Sequence, residues 1–139
     1  MDSLIGKWVG YYEYGLGYEL PFFGKRVVYQ IDITIENEDF MGTAVEEKSP
    51  YSVDSSAAIK GFIEGDLISF VKTYPIKSTI QKDNSIEKTK GEQFLNHTGY
   101  LDRVRKTMYG LWTIEQNYVD IEFPKEVQQC EGIWLLEKQ

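Results

Sequence analysis

The feature that most constrains the fold is an alternation of apolar and polar side chains along nearly the whole chain. It is clearest in residues 27–36, where one face carries Val27, Tyr29, Ile31, Ile33 and Ile35. Alternation with a period of two residues is typical of a β-strand that buries one of its faces. Helical periodicity is nearly absent, and the best candidate is a single turn at 124–129, where Pro124 suits the first helical position. The sequence therefore predicts an all-β protein.

The same alternation marks eight candidate strands with no long helix between them. They span residues 5–14, 26–36, 40–47, 57–64, 67–74, 93–101, 106–114 and 131–137. Consecutive strands without a crossover helix pair antiparallel, and closing the sheet removes its two exposed edges. A chain of 139 residues is also long enough for one core and short for two domains. We therefore expect a single domain over residues 1–139, an eight-stranded up-and-down antiparallel barrel.

Short and long connections alternate strictly between these strands. The short ones are 37–39, 64–66 and 102–105, and the long ones are 15–25, 48–56, 75–92 and 115–130. Alternate connections of an up-and-down barrel lie at opposite ends, so we expect the long ones to surround a mouth, where loops of this length are often functional. The first of them places aromatic residues between glycines, which predicts either a movable lid or a permanent plug. The polar residues 77–90 are expected to be solvated, mobile and without a binding role.

Each of the three tryptophans follows a glycine by two positions. The motifs are Gly6-Lys7-Trp8, Gly110-Leu111-Trp112 and Gly132-Ile133-Trp134. They lie on the first strand and on the last two, so closure of the barrel would bring them together. Residues two apart on a strand share a face, and an inward glycine leaves space beside an indole. The recurrence therefore predicts a seam where strands seven, eight and one meet.

An opening Gly-x-Trp on the first strand of a short eight-stranded barrel, here Gly6-Lys7-Trp8-Val9-Gly10-Tyr11-Tyr12, resembles the calycins: lipocalins, fatty-acid-binding proteins and avidins. The two later motifs are similar to the repeated inward tryptophans of avidin. The resemblance implies a barrel that holds a small apolar or amphipathic molecule in its interior, without a cofactor. The chain lacks a lipocalin-type disulfide pair, a helix-turn-helix cap and the polar residues with which avidin binds biotin, so the resemblance leaves the ligand open.

The best single polar candidate is Lys72, which shares a strand face with Ile68 and Phe70. An inward lysine costs several kcal/mol if it is desolvated and unpaired, so it must meet a carboxylate, a ligand anion or water. One interpretation makes it an anion anchor at the mouth, and the other lets it reach out at the rim or bridge to Glu46. The candidate ligand-binding residues are Tyr12, Tyr14, Tyr29, Phe70, Lys72, Tyr74 and Trp112.

Two alternatives to ligand binding stay open. One is a lyase or isomerase that resembles phenolic acid decarboxylases, with Tyr11, Tyr12 and Tyr14 beside Arg26 and an acid such as Glu46. It would need an inward acid with a tuned pKa. The other is a barrel filled by its own side chains that binds a protein on its outside. We assign no catalytic residue.

No metal or haem site is expected. The chain has one histidine, His97, and one cysteine, Cys130, which support neither a typical zinc site nor a Cys-His nucleophile. Haem-binding barrels such as nitrobindins also carry an early Gly-x-Trp-x-Gly, and they require a proximal histidine. Alternation leaves the direction of His97 ambiguous, so we expect a surface histidine or one with its hydrogen bonds satisfied.

The net charge, the first residues and the single cysteine indicate which partners and which cellular location to expect. The net charge of −7 argues against nucleic acid and against anionic membrane surfaces. The first residues carry no basic run before an apolar stretch, and no run of about 18 apolar residues occurs. A single cysteine fits a reducing compartment. We therefore expect a cytoplasmic protein.

Outward apolar residues on the first, seventh and eighth predicted strands predict a homo-oligomer. They are Val9, Tyr11, Tyr109, Leu111, Ile133 and Leu135. An apolar strip on the outside of a soluble barrel is normally covered. We expect size-exclusion chromatography with light scattering to show a dimer or tetramer formed through this wall, and a strict monomer would contradict the expectation.

Overall fold

Eight strands close into a barrel in the computed structural model, which describes residues 4–37, 39–118 and 126–139. The strands are β1 Gly6–Tyr14, β2 Arg26–Glu36, β3 Asp39–Glu46, β4 Ala57–Glu64, β5 Leu67–Ile80, β6 Ile86–Asp102, β7 Thr107–Tyr118 and β8 Glu126–Lys138. Each strand pairs antiparallel with the next in the chain, and β8 pairs antiparallel with β1. The all-β, up-and-down barrel predicted from the sequence is therefore confirmed.

The largest departure from the sequence prediction is the length of β5 and β6. Residues 75–92 are largely a β-hairpin and not the mobile loop that was predicted, because β5 runs on to Ile80 and β6 begins at Ile86. Pro75, which has no N–H to donate, lies where the β5–β6 register shifts between Tyr74 and Ile76. Polar composition concealed the alternation, although Ser78 and Ile80 face inward.

A second correction concerns the predicted helical turn at 124–129. Residues 126–129 belong to β8 and pair with β7, so a helical turn there is wrong. Residues 124–125 lie outside the described part of the chain. The ends of β5 and β7 also form a short parallel contact, Thr79 with Asn117 and Ile80 with Tyr118.

The two later tryptophan motifs meet where β7 and β8 pair, as predicted, but Gly6-Lys7-Trp8 does not join them, because Trp8 pairs with Lys138 at the opposite end of β1 from the partners of 132–134. Strand register places Trp112 opposite Gly132, and Gly110 opposite Trp134. A Cβ added to Gly132 would lie 2.5 Å from ring atoms of Trp112. At that position the glycine makes room for the indole of the neighbouring strand and not for the tryptophan of its own motif.

The half of the barrel away from the long connections is filled by large side chains. Trp8, Ile33, Phe40, Ile68 and Met108 point into it, and each is at most 2% exposed. The indole N–H of Trp8 donates to the carbonyl of Leu4, 2.9 Å away. This closed half therefore serves as a packed core, and open space is left to the opposite half.

Residues 15–25 lie over the mouth with two aromatic rings buried. Tyr18 and Phe22 pack on Tyr14, with ring centroids 4.8 and 5.8 Å from it. Backbone hydrogen bonds from Gly15 to the Glu131 carbonyl and from Glu131 to the Leu16 carbonyl fasten the segment to β8. The connection thus forms part of the wall around the mouth.

The outer wall of β7 and β8 carries exposed apolar side chains. Tyr109, Leu111 and Ile133 are between 41% and 50% exposed. On β1 the ring of Tyr11 lies under the guanidinium of Arg26, 4.3 Å from the centroid. The homo-oligomer through this wall stays a prediction.

Candidate functional site

A buried carboxylate at the end of β3 organises the mouth half of the barrel. Glu46 shares a strand face with the buried Ala44, and its side chain is 1% exposed. It accepts hydrogen bonds from the hydroxyl of Tyr12 at 2.7 Å, the ammonium of Lys72 at 3.0 Å and the hydroxyl of Tyr74. We call Tyr12, Glu46, Lys72 and Tyr74 the Glu46 cluster. It joins strands β1, β3 and β5 across the interior.

The Lys72 side chain is as buried as its partner, at 1% exposure. Its ammonium lies 4.6 Å from the ring centroid of Tyr12 and 4.8 Å from those of Tyr29 and Tyr74. The faces of these rings attract a cation, so they stabilise the charged form of the lysine. Burial lowers the pKa of Lys72, and the attraction of Glu46 opposes that shift. The predicted bridge to Glu46 is present inside the barrel, so the interpretation in which Lys72 reaches solvent at the rim is wrong.

The hydroxyls of the neighbouring tyrosines remain protonated because of burial. Desolvation is the main cause that raises the pKa of Tyr12 and of Tyr74, and the charge of Glu46 adds to it. Both hydroxyls therefore act as donors to the carboxylate. Tyr29 differs, since its hydroxyl is buried and has no hydrogen-bond partner among the described residues.

Glu46 also holds the connection between β3 and β4. The backbone N–H of Val53 donates to the same carboxylate at 2.7 Å, and the hydroxyl of Tyr14 donates to the carbonyl of Tyr51 at 2.5 Å. These two contacts fasten residues 49–53 over one side of the mouth. The cluster therefore fixes a loop as well as three strands.

A cavity of about 270 Å³ lies between this loop and the β5–β6 hairpin. Its walls are mainly aromatic and aliphatic, and it reaches the exposed residues Lys48, Asp54 and Lys88 at the rim. Of the seven predicted binding residues, four line it: Tyr12, Tyr14, Tyr74 and Trp112. Lys72 belongs to the Glu46 cluster and lies behind the cavity wall, and Tyr29 lies beside that cluster. Phe70 lies deeper in the core. The predicted mouth at the long-connection end therefore contains open space.

Sequence reasoning missed one polar residue that lines this cavity, Gln93. Its side chain is 7% exposed, and its carboxamide oxygen accepts the backbone N–H of Ser78 at 3.2 Å. Its amino group donates to no described residue. Gln93 also borders a polar cleft of about 460 Å³ between β6 and β7. Its shared face with Leu95 in the predicted strand 93–101 was the available signal, but alternation leaves the inward face of that strand ambiguous.

The single histidine points inward, which the sequence left open. His97 is stacked on Phe70, with ring centroids 4.3 Å apart, and its Nδ1 lies 3.2 Å from the carbonyl of Leu95. Burial, and then the charge of Lys72, lower its pKa to about 3. The ring is therefore a neutral part of the core. Among the described residues, no three His, Cys, Asp or Glu side chains are grouped so as to hold a metal ion.

The residues proposed for a decarboxylase-like site do not assemble as a set. The side chain of Arg26 is 57% exposed and pairs with Glu13 on the outside of the barrel, 3.5 Å away. Arg26 faces outward because its neighbour Val27 faces inward. Lys72 is the cation that contacts Glu46, so the predicted contribution of Arg26 to an interior site is wrong.

Comparison with known proteins gave no match: no protein-family model, no curated protein and no solved structure matches this chain significantly. Within the described ranges, no helix has the length and hydropathy needed to cross a membrane. The fold and the geometry of the mouth are thus the basis for any functional conclusion.

A pair of Tyr→Phe substitutions tests the hydrogen bonding around Glu46. We expect Tyr74→Phe to lower the free energy of unfolding by about 1.5–3 kcal/mol, because it removes a donor from a buried carboxylate. Tyr29→Phe is the matched control and should leave stability unchanged or raise it, since its hydroxyl has no partner to lose. Urea unfolding of both variants measures the difference, and equal losses would contradict the arrangement.

The buried His97 predicts a pH dependence of stability. Its pKa is about 3 in the folded protein and 6.5 when exposed, so below pH 6.5 the unfolded chain binds a proton that the native state does not. Above pH 6.5 the neutral, buried His97 therefore makes its full contribution to the free energy of unfolding. Below pH 6.5 the free energy of unfolding falls by about 1.4 kcal/mol per pH unit. In urea unfolding from pH 7.5 to 4.5, His97→Leu should lose stability less steeply than the unsubstituted protein. Parallel curves would show that His97 does not titrate this way.

Proposed function

We propose that this protein binds a small apolar or amphipathic molecule in the cavity at the mouth of its barrel. The observation that carries the proposal is an open cavity in the mouth half, at the end where loops and an extended hairpin converge. Pockets for small ligands are concave, largely apolar and furnished with a few polar groups. The aromatic walls and Gln93 meet that description. A calycin-like lineage is part of the proposal, supported by the strand plan and by the tryptophans of β7 and β8.

The state of Glu46 favours binding over catalysis. A carboxylate has about four lone-pair positions, and Glu46 already accepts from Tyr12, Val53, Lys72 and Tyr74. A general base needs a free position within reach of the proton that it abstracts. The carboxylate therefore serves as a structural acceptor. The packed closed half supports the alternative of a filled barrel that binds a protein on its outside. That alternative does not explain the open space in the mouth half.

Tryptophan fluorescence tests the proposal, because Trp112 lines the cavity and Trp8 lies in the closed half. Small neutral and anionic aromatic and aliphatic compounds would be titrated, and calorimetry would give the stoichiometry of any binder. We expect the emission change of a binder to persist in Trp8→Phe and to be largely lost in Trp112→Phe. Circular dichroism checks that both variants are folded. No response to any compound, or an undiminished response in Trp112→Phe, would refute binding at this site.

A further inference from the structure

The two buried charges beneath the cavity, on Lys72 and Glu46, already neutralise each other. Lys72 is the buried cation nearest to it, and its ammonium donates to Glu46 at 3.0 Å. Both side chains are 1% exposed, so water does not share the pair. A carboxylate brought into this region would be desolvated without a free cation to receive it, which is costly. Glu46 occupies the position that a ligand anion would need.

A hydrogen-bond donor in the cavity wall, the amino group of Gln93, is available to a ligand. The amino group of Gln93 has no described partner, while the carboxamide oxygen is used by Ser78. This amino group is not among the buried atoms without a partner, so it is accessible to water, and an acceptor atom on a ligand would replace that water. The cavity therefore offers a hydrogen bond to a neutral acceptor such as a carbonyl oxygen.

The size and walls of the cavity suit an aromatic ring system. An apolar cavity of about 150 Å³ is enough to hold one benzene molecule, and this one is about 270 Å³. Tyr12 and Tyr14 both stand nearly perpendicular to Trp112, with interplanar angles of 85° and 84°. Rings in such edge-to-face arrangements interact favourably with a further aromatic ring.

We infer that the cavity selects uncharged aromatic molecules of about two fused rings that carry a hydrogen-bond acceptor, which Gln93 binds. The inference rests on the proposed binding function and narrows it to one ligand class. Lys72 is not an anion anchor in this arrangement, because it binds the protein's own carboxylate, Glu46. The exposed Lys48 and Lys88 at the rim remain hydrated, and such exposed charges add little to affinity.

Three naphthalenes of nearly equal shape test the inference by calorimetry at pH 7.5. They are 2-acetylnaphthalene, which is neutral with an acceptor, 2-naphthoate, which is anionic, and 2-ethylnaphthalene, which has no acceptor. We expect the ketone to bind more than about tenfold tighter than the carboxylate and about fivefold tighter than the hydrocarbon. Carboxylate binding equal to or tighter than ketone binding overturns the inference and leaves the proposed function standing. Failure of all three to bind counts against the proposed function itself.

Two substitutions assign the selectivity to residues. Gln93→Leu should abolish the advantage of the ketone over the hydrocarbon and leave hydrocarbon affinity within about twofold; an undiminished advantage would remove Gln93 from the inference. Glu46→Gln leaves Lys72 without its counter-charge, so 2-naphthoate affinity should rise about tenfold while ketone affinity stays within about twofold. No rise in a folded variant contradicts the role given to Glu46.

A double variant covers the case in which Glu46→Gln does not fold. Glu46→Gln/Lys72→Met removes both charges and keeps the interior neutral. We expect it to retain the preference for ketone over carboxylate, and a reversed preference would overturn the inference.

Discussion

The ion pair between Lys72 and Glu46 is the interaction on which the mouth half of the barrel depends. Removing two charges from water costs several kcal/mol each, and their attraction offsets this only when the remaining hydrogen-bonding positions are filled. Here the hydroxyls of Tyr12 and Tyr74 and the N–H of Val53 fill them. These donors come from different parts of the chain, so satisfying one carboxylate fixes the positions of several walls at once.

The charge balance of the interior contrasts with that of the whole molecule. The chain carries a net charge of −7, yet the buried pair contributes no net charge. Burial keeps the nearby tyrosines protonated and His97 neutral. For the proposed binding function, a cavity of this kind favours recognition by shape, ring contacts and single hydrogen bonds over attraction between opposite charges.

Local pattern in the sequence was enough to predict the fold and the faces of most strands. Alternation is a property of neighbouring residues, so it correctly placed Lys72 inside with Ile68 and Phe70. It failed where polar composition concealed it: the pattern of residues 75–92 predicts a loop, which hid the inward side chain of Ser78. It also left His97 undecided, because apolar and polar residues occur on both faces of β6.

The sequence by itself determined the number of strands, their order around the barrel, the end that carries the long connections and the meeting of the tryptophan motifs of β7 and β8. These follow from periodicity and from the closure of a sheet, which need no knowledge of distances. Only the tertiary structure decided that Glu46 receives Tyr12 and Tyr74 as well as Lys72, that Arg26 stays outside, and that space remains at the mouth. Those outcomes depend on the register of neighbouring strands and on which side chains meet across the barrel, and residues far apart in the chain set both.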